Sequence, residues 1–350
     1  MINKESQVGA NFIRPLASLA LLLCTVVLSA CALQPPDCAD EDVFCVGLVT
    51  AYEGVENHGL NQAAWETLQN IKAQAQIARL DHIESIDSRD WQKNILFFAE
   101  NSYDVVITVG TNLGDATQSV AAEYPAVSFI GVDQEFTEVQ ENVATIGFPE
   151  EQAGFLAGML AGMVSPAGKV GAVCETSGID VVWQYCEGFR AGALYDRDDL
   201  EVTVVYRESG ERDKTFNDPE WGKQQLLRLV DKGVDTITAF GGNTAQGAYL
   251  TASEEGVLII GSEEDLSYRL PDAQPFLVTS IIPDPGTVLS SLVLLASHGE
   301  LISGNHTGEF HYVPLRLSQF GTDMEIKSNL EDALRGIQNG EIEIDLPQRE

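Results

Sequence analysis

The sequence is poor in positive charge. It has 20 lysine and arginine residues against 53 aspartate and glutamate residues, which gives a formal net charge of −33 at pH 7. A surface of this kind repels phosphate backbones and anionic lipid headgroups, which argues against a protein that binds nucleic acid. The charge fits a saline habitat or an acidic lineage equally well, and it carries no information about the fold.

Motifs for catalysis and for metal binding are also scarce. The sequence contains no CxxC and no GxSxG, and its five histidines lie in neither a zinc-ligand spacing nor a recognisable triad pattern. Carboxylate pairs are too common in this acidic chain to single out a glycosidase couple. A secreted hydrolase is therefore an alternative without a supporting motif, and we predict no enzyme activity, no metal site and no cofactor.

Long apolar runs are absent as well, apart from one short stretch near the N-terminus. Residues 16–28 are uncharged and mostly apolar, which is shorter than the roughly 20 residues of a membrane span. They follow two basic residues and end in Leu-Ser-Ala-Cys31, the pattern of a lipoprotein signal peptide. We expect residues 1–30 to be removed and Cys31 to carry the lipid. Acyl chains would then anchor the protein to the cell membrane, facing the periplasm or the outside.

Four of the six cysteines remain once Cys24 is removed with the signal and Cys31 is lipidated. An even number of cysteines in an oxidising compartment indicates disulfides, and four cysteines allow three pairings. We predict the local pairing, in which Cys38 is joined to Cys45 and Cys174 to Cys186.

The rest of the chain alternates short apolar strands with helix-length segments, after an acidic, proline-containing tether over residues 31–44. Predicted strands are Cys45–Thr50, part of Ile77–Ile86, Val105–Val109, Val127–Val132, Val170–Cys174, Val202–Tyr206, Thr236–Phe240, Val257–Ile260 and His311–Leu315. Predicted helices are Asn61–Ala78, Trp91–Asn101, Gly114–Glu123, Glu151–Met163, Val182–Tyr195, Pro219–Lys232, Ala245–Glu255, Gly286–Gly299 and Lys327–Asn339. This alternation is typical of an α/β fold with parallel sheets covered by helices.

The alternation runs through two successive series, which predicts two doubly wound lobes with a ligand cleft between them. Lobe 1 is expected over residues 45–147 with part of 284–320, and lobe 2 over residues 148–283 with part of 310–350. The chain should cross between lobes near Phe148–Pro149 and Thr279–Pro283, with at least one later crossing. The ligand should lie at the carboxyl ends of the strands.

The most specific segment is Val46–Leu68, VGLVTAYEGVENHGLNQAAWETL, in which a buried strand leads through a polar loop into a helix. It resembles the VGLVTDxGGxxDxSFNQxxWEGL segment of the basic membrane protein family, the PnrA-like substrate-binding lipoproteins of ABC transporters. Further segments resemble that family in the same order: Val105–Gly110, Phe129–Asp133, Phe148–Gly158, Gly178–Gly192, Phe216–Pro219, Gly241–Gly247 and Gly256–Gly261.

The resemblance implies a type I periplasmic-binding-protein fold that closes on a small molecule, typically a nucleoside. It also implies ABC permease and ATPase subunits as partners. By this resemblance Asn61 and Phe216 match family ligand contacts, Glu263 falls at the ribose-binding aspartate, and Asp265 is the later acid. Four positions depart from the family pattern, namely Ala51, Gly59, Leu60 and Pro283, and the last stands where the family has a lysine.

Position along the chain adds further candidate ligand contacts. Tyr52 and Asn57 lie in the loop after the first strand, and Asp133 ends a strand at the expected lobe interface. Asn243 and Thr244 follow a strand and a glycine pair, where backbone can approach a ligand closely. We expect a small, polar, ring-containing solute, with a modified nucleoside or purine base ahead of sugars and amino acids. A sensor lipoprotein that presents its ligand to a membrane receptor is the alternative.

Overall fold

The computed structural model describes residues 35–51, 54–195, 197, 199–208, 214–314 and 323–349. The predicted lipidation site Cys31 and the candidate contact Tyr52 lie outside these residues.

The first part of the chain builds a parallel sheet whose central strands are rich in valine and isoleucine and are buried on both faces, whereas the strands at its two edges are partly exposed. Its elements in chain order are β1 (Phe44–Thr50), α1 (Leu60–Ile71), β2 (Ile77–Glu84), α2 (Trp91–Glu100), β3 (Val105–Val109), α3 (Gly114–Glu123), β4 (Ser128–Val132) and β5 (Val143–Gly147).

The middle of the chain repeats this pattern and builds a second sheet. Its elements are α4 (Glu150–Val164), β6 (Lys169–Cys174), α5 (Asp180–Ala193), β7 (Glu201–Tyr206), α6 (Pro219–Asp231), β8 (Thr236–Phe240), α7 (Gly242–Glu255), β9 (Leu258–Ser262), α8 (Leu266–Arg269) and β10 (Leu277–Asp284). The last part adds α9 (Gly286–Ala296), β11 (Gly304–Thr307), β12 (Glu309–Tyr312) and α10 (Asp323–Gln338).

The strands of the described residues form two six-stranded sheets, which confirms the predicted pair of doubly wound lobes. The lobe 1 sheet has the order β11-β5-β4-β3-β1-β2 and is parallel throughout. The lobe 2 sheet has the order β12-β10-β9-β8-β6-β7, in which only β12 is antiparallel to its neighbour. In each sheet the strand order reverses beside the first strand of the series, and such a switch point is where α/β sheets bind ligands.

Within the residues that the structure describes, the chain passes between the two sheets three times. It leaves lobe 1 after β5, returns at residues 284–286 into α9, and passes from β11 to β12 at residue 308. The crossing predicted near Thr279–Pro283 begins just after that segment, because β10 still pairs with β12 through Asp284.

Several predicted element boundaries are wrong. The helix predicted over Asn61–Ala78 ends at Ile71, since Gln76 adopts a left-handed φ of 53° and Ile77 begins β2. The strand predicted over His311–Leu315 spans Glu309–Tyr312 instead. The strands β5 and β11 were not predicted, and both pair at the edge of the lobe 1 sheet.

Helices α4 and α5 of lobe 2 cross with their backbones in contact, through glycines on both helices. A Cβ at Gly158 would lie 1.9 Å from the carbonyl oxygen of Phe189, and one at Gly192 would lie 1.9 Å from that of Phe155. This close packing fixes the two helix segments nearest the cleft, the first turn of α4 with Glu150 and the α5 turn with Tyr185.

Both predicted disulfides are present in the structure. Cys38 and Cys45 join the segment before β1 to that strand, and Cys174 and Cys186 join the end of β6 to α5. The second bridge is completely buried and ties α5 to the sheet that it covers.

Candidate ligand-binding cleft

Two neighbouring chambers lie between the lobes at the carboxyl ends of the strands. The inner chamber, of about 260 Å³, is lined from lobe 1 by Leu60, Thr111 and Asp133. The outer chamber, of about 350 Å³, begins beside Asn57 and Gly59 of the loop before α1. Leu60, Phe216 and Glu263 line both chambers, which makes them parts of one cleft.

The strand register explains why these residues meet. Thr50 pairs with Val109, Val109 with Val132 and Val132 with Ile146, so four strands of lobe 1 end at nearly the same level. The residue after β4 is Asp133, whose left-handed φ of 58° turns the chain sharply at the end of the strand. The end of β4 therefore places the Asp133 carboxylate in the inner chamber.

The inner chamber combines carboxylates with aromatic rings. Asp133 and Glu150 face it from opposite lobes together with Glu263. Its rings include Tyr185 and Phe240, which stack with centroids 4.5 Å apart. The described lining residues include no lysine, arginine or histidine. Such a surface accepts hydrogen bonds from N–H and O–H groups and offers faces for a ring.

The chamber shifts the ionisation of its acids. Burial raises the pKa of Asp133 to about 6, against a smaller lowering by a hydrogen bond from the backbone of Thr111. Burial, with the neighbouring charges of Asp133, Glu263 and Glu151, raises the pKa of Glu150 well above its usual range. Each ionised form is therefore costly until hydrogen-bond donors compensate it.

Phe216 projects into the cleft from the segment before α6, where it holds a left-handed φ of 61°. Its carbonyl oxygen accepts a hydrogen bond from the Asn243 N–H at 2.9 Å. The next residues are fixed by Asp218, whose N–H donates to the Thr244 Oγ1 at 3.0 Å and whose carboxylate caps α6 through the Trp221 N–H. These bonds join the segment before α6 and the first turn of α7 into one unit.

A buried ion pair supports this unit from behind. Arg207 Nε lies 2.9 Å from a carboxylate oxygen of Glu175, and Arg207 Nη1 donates to Asp218 at 3.1 Å. The guanidinium carbon lies 4.6 Å from the ring centroid of Trp221. Glu175 is fully buried, and a Cβ on Gly241 would lie 2.5 Å from the Glu175 Cβ. The ion pair thus supports the start of α7, whose first turn carries Asn243.

The outer chamber is richer in amide groups. Asn57, Asn243 and Gln246 line it, together with Glu264 and Arg269, whose charged groups lie 3.6 Å apart. Polar groups of this kind can satisfy the hydrogen-bonding groups of a ligand that extends beyond the inner chamber.

The structure brings together five of the ligand contacts predicted from sequence, namely Asn57, Asp133, Phe216, Asn243 and Glu263. It places three others outside both chambers. Asn61 is buried in the first turn of α1, the Thr244 hydroxyl holds the Phe216 segment, and Asp265 caps α8 by accepting from the Ser267 N–H at 2.9 Å.

Sequence reasoning did not identify several cleft residues. Glu150 is not among the predicted contacts, although its place directly after a lobe crossing is a signal for a cleft residue. Tyr185 and Phe310 carried no local signal, because a tyrosine inside an amphipathic helix and a phenylalanine in a short strand usually belong to the core. Both line the inner chamber here.

Comparisons with known proteins agree with this architecture. Residues 45–311 match the family described as ABC transporter substrate-binding protein PnrA-like. The chain belongs to that family.

Relatives in the family are similar along most of the chain. The chain is 25% identical over 321 residues to the ABC transporter nucleoside-binding protein BmpA of Lactococcus lactis, covering 85% of this chain and 88% of that protein. It is 27% identical over 256 residues to the CD4+ T-cell-stimulating antigen of Listeria innocua, covering 69% and 70%. The fold is similar to that of a solute-binding protein of an ABC transporter from Conexibacter woesei, with a TM-score of 0.71 at 19% identity, covering 87% of this chain and 99% of that one.

Membership of the PnrA-like family makes this protein a substrate-binding component of an ABC transport system, and it implies a small-molecule ligand and transporter subunits as partners. Substrate-binding proteins of this class act outside the cytoplasm or at the membrane surface. Among the described residues, no helix has the length and apolar character needed to cross a membrane.

Proposed function

We propose that this protein captures a small, polar, ring-containing solute in the inner chamber, and that a nucleoside-like molecule is the favoured ligand. The observation that carries the proposal is the meeting of Phe216 with the carboxylates of Asp133, Glu150 and Glu263 in one cavity between the lobes. An aromatic face suits a base, while carboxylates accept from ribose hydroxyls and exocyclic amines. The name of the Lactococcus relative supports the same ligand class.

The departures from the family pattern bear on affinity. Leu60 supplies an apolar contact where the family has a stacking phenylalanine, and Pro283 lines the inner chamber where the family has a lysine. Loss of one stacked face costs about 1 kcal/mol beyond the buried area. The ligand is therefore expected to rely on Phe216 for stacking and on hydrogen-bond donors to the three carboxylates, which favours amino-substituted bases and modified nucleosides.

A thermal-shift screen of the purified protein tests the ligand class. Adenosine, guanosine, adenine, ribose, myo-inositol and a set of amino acids are added one at a time. We expect the nucleosides or the base to raise the unfolding temperature, and Phe216→Ala to abolish that rise. Gln224→Ala, an exposed change on the outer face of α6, is the control. Stabilisation by sugars or amino acids alone would contradict the nucleoside-like assignment.

We further propose that the protein is anchored to the membrane through lipid on Cys31 and delivers its ligand to an ABC permease. The Leu-Ser-Ala-Cys31 boundary supports the anchor. Wild-type protein expressed in a bacterial host should partition into the detergent phase of a Triton X-114 extract, and Cys31→Ala should stay in the aqueous phase. Equal partitioning of the two proteins would contradict the lipid anchor.

A further inference from the structure

Two loops from opposite lobes touch each other at the mouth of the cleft. His58 belongs to the loop before α1 in lobe 1, and Tyr268 belongs to the short helix α8 in lobe 2. Their rings are stacked, with centroids 3.9 Å apart and planes inclined by 4°. Tyr268 is 61% exposed, so the hydrophobic core does not require its ring at this position.

A backbone hydrogen bond accompanies the stack. The Asp265 N–H of lobe 2 donates to the His58 carbonyl oxygen of lobe 1 at 3.1 Å. Beside it, Gly59 is buried against lobe 2, where a Cβ would lie 3.5 Å from the Glu264 Cβ and 3.6 Å from the Glu263 carbonyl oxygen. The two loops therefore make hydrogen-bond and ring contacts at one place and leave little space for a side chain at Gly59.

The lobe 1 loop is shaped for this contact. His58 has a left-handed φ of 56°, a conformation that is uncommon for a residue with a side chain. Its N–H donates to the Gln62 Oε1 at 3.0 Å, and the Asn57 Oδ1 accepts from the Gly59 N–H at 3.1 Å and the Gln62 N–H at 3.2 Å. These bonds hold the turn that directs the His58 carbonyl toward lobe 2.

The lobe 2 partner is fixed in a similar way. Asp265 caps α8 with its carboxylate, while its N–H makes the bond to His58. The Leu266 N–H donates to the Ser280 Oγ at 3.1 Å, which ties the start of α8 to β10. Glu263, Glu264, Leu266 and Arg269 of this segment also line the outer chamber. Contact between the loops therefore closes the wall of the chamber.

We propose that the stack of His58 on Tyr268 is an interlobe latch, which holds the lobes together over a bound solute and slows its release. This inference rests on the proposed function for its purpose, since a latch on a cleft matters only if the cleft holds a ligand. The contact itself is independent of the identity of that ligand. Loss of an exposed aromatic contact of this kind should shift the equilibrium from joined toward separated loops by roughly two- to tenfold.

Hydrogen exchange of the full-length protein tests the latch without a ligand. The readout is exchange of the Asp265 amide and of peptides covering residues 54–64 and 260–270. Tyr268→Ala should accelerate exchange of the Asp265 amide by about two- to tenfold. Tyr268→Phe keeps the ring and should match wild type. His58→Asn removes the ring but tolerates the left-handed backbone, so it should behave like Tyr268→Ala.

A double variant distinguishes loss of the latch from a general destabilisation of the two loops. If the two rings act as a pair, His58→Asn combined with Tyr268→Ala should exchange no faster than either single variant. Wild-type exchange in Tyr268→Ala, or additive effects in the double variant, would overturn the latch. Stopped-flow release of adenosine should accelerate by the same factor in Tyr268→Ala. Absence of adenosine binding would count against the proposed ligand class, while the exchange comparison would still decide the latch.

Discussion

At the scale of single residues, the cleft contains acids whose ionised forms are unfavourable in the absence of a ligand. Asp133 and Glu150 lie on different lobes, and burial raises the pKa of both. A carboxyl group whose pKa is raised in the folded protein binds a proton more tightly there than in the unfolded chain. Ionising it therefore reduces the free energy of unfolding, and a ligand that donates hydrogen bonds offsets this loss.

Asp133→Asn should stabilise the ligand-free protein at neutral pH, by up to about 3 kcal/mol. The gain should be absent below about pH 4, where aspartate is protonated in both states, and should grow until about pH 6, the pKa of Asp133 in the folded protein. Urea denaturation of both proteins from pH 4 to pH 8 measures this difference. Asp115→Asn, on the exposed surface of α3, controls for loss of a surface charge.

A constant difference across this pH range would contradict the burial of the Asp133 carboxylate. The same substitution should weaken binding of adenosine, since a neutral amide accepts donors less strongly than a carboxylate. Greater stability together with weaker binding is the expected signature of a group that serves the ligand and not the fold.

At the scale of elements, the crossing of α4 and α5 positions one side of the cleft. The first turn of α4 carries Glu150 and the facing turn of α5 carries Tyr185, and glycines allow the two backbones to touch. Alanine normally improves a helix over glycine by about 1 kcal/mol. At this crossing the added methyl group has no space, so the helices must separate.

Gly158→Ala should therefore destabilise the protein by about 1–3 kcal/mol despite the better helix propensity. Its Cβ would meet the Phe189 carbonyl oxygen at 1.9 Å. Gly178→Ala, just before α5, is the matched control, because its Cβ would meet only the Thr176 hydroxyl at 3.3 Å. Thermal unfolding measures both variants, and equal midpoints would contradict close packing of α4 on α5.

The sequence predicted most elements but not all of those that build the cleft. Buried strands such as Val105–Val109 have continuous apolar runs, and they were predicted with the correct bounds. The strands β5 and β11 have mixed composition, so no apolar run indicates them. They form by pairing with each other, which depends on contacts between distant parts of the chain. The crossing of α4 and α5 could not be predicted either. Glycine within a helical segment argues against a helix, and its role in close packing is recognised only when the partner helix is known.

The candidate site shows the same division. Residues that directly follow strands, such as Asp133 and Asn243, could be predicted because the carboxyl ends of parallel strands share one edge. Thr244 lies in the first turn of α7 and Asp265 just before α8, yet both side chains accept hydrogen bonds from backbone N–H groups instead. Sequence position fixes which loop a residue belongs to, whereas only the fold decides which way its side chain points.

At the scale of the whole molecule, two lobes enclose a cleft, and we expect the cleft to close on a ligand by relative motion of the lobes. Three crossings within the described residues join them, and the loops that carry His58 and Tyr268 meet beside the outer chamber. Closure of this kind sequesters a ligand by burying it between two preformed surfaces, and ligand binding then shifts the population toward the closed form.

Small-angle X-ray scattering of the protein with and without saturating adenosine tests the central claim, that the cleft closes on a nucleoside-like solute. We predict that adenosine binds in a parallel calorimetric titration and that the radius of gyration falls on saturation. Phe216→Ala should remove both the heat of binding and the compaction. Saturation by adenosine with unchanged scattering would contradict closure, and absence of any binding heat would contradict adenosine as a representative of the ligand class.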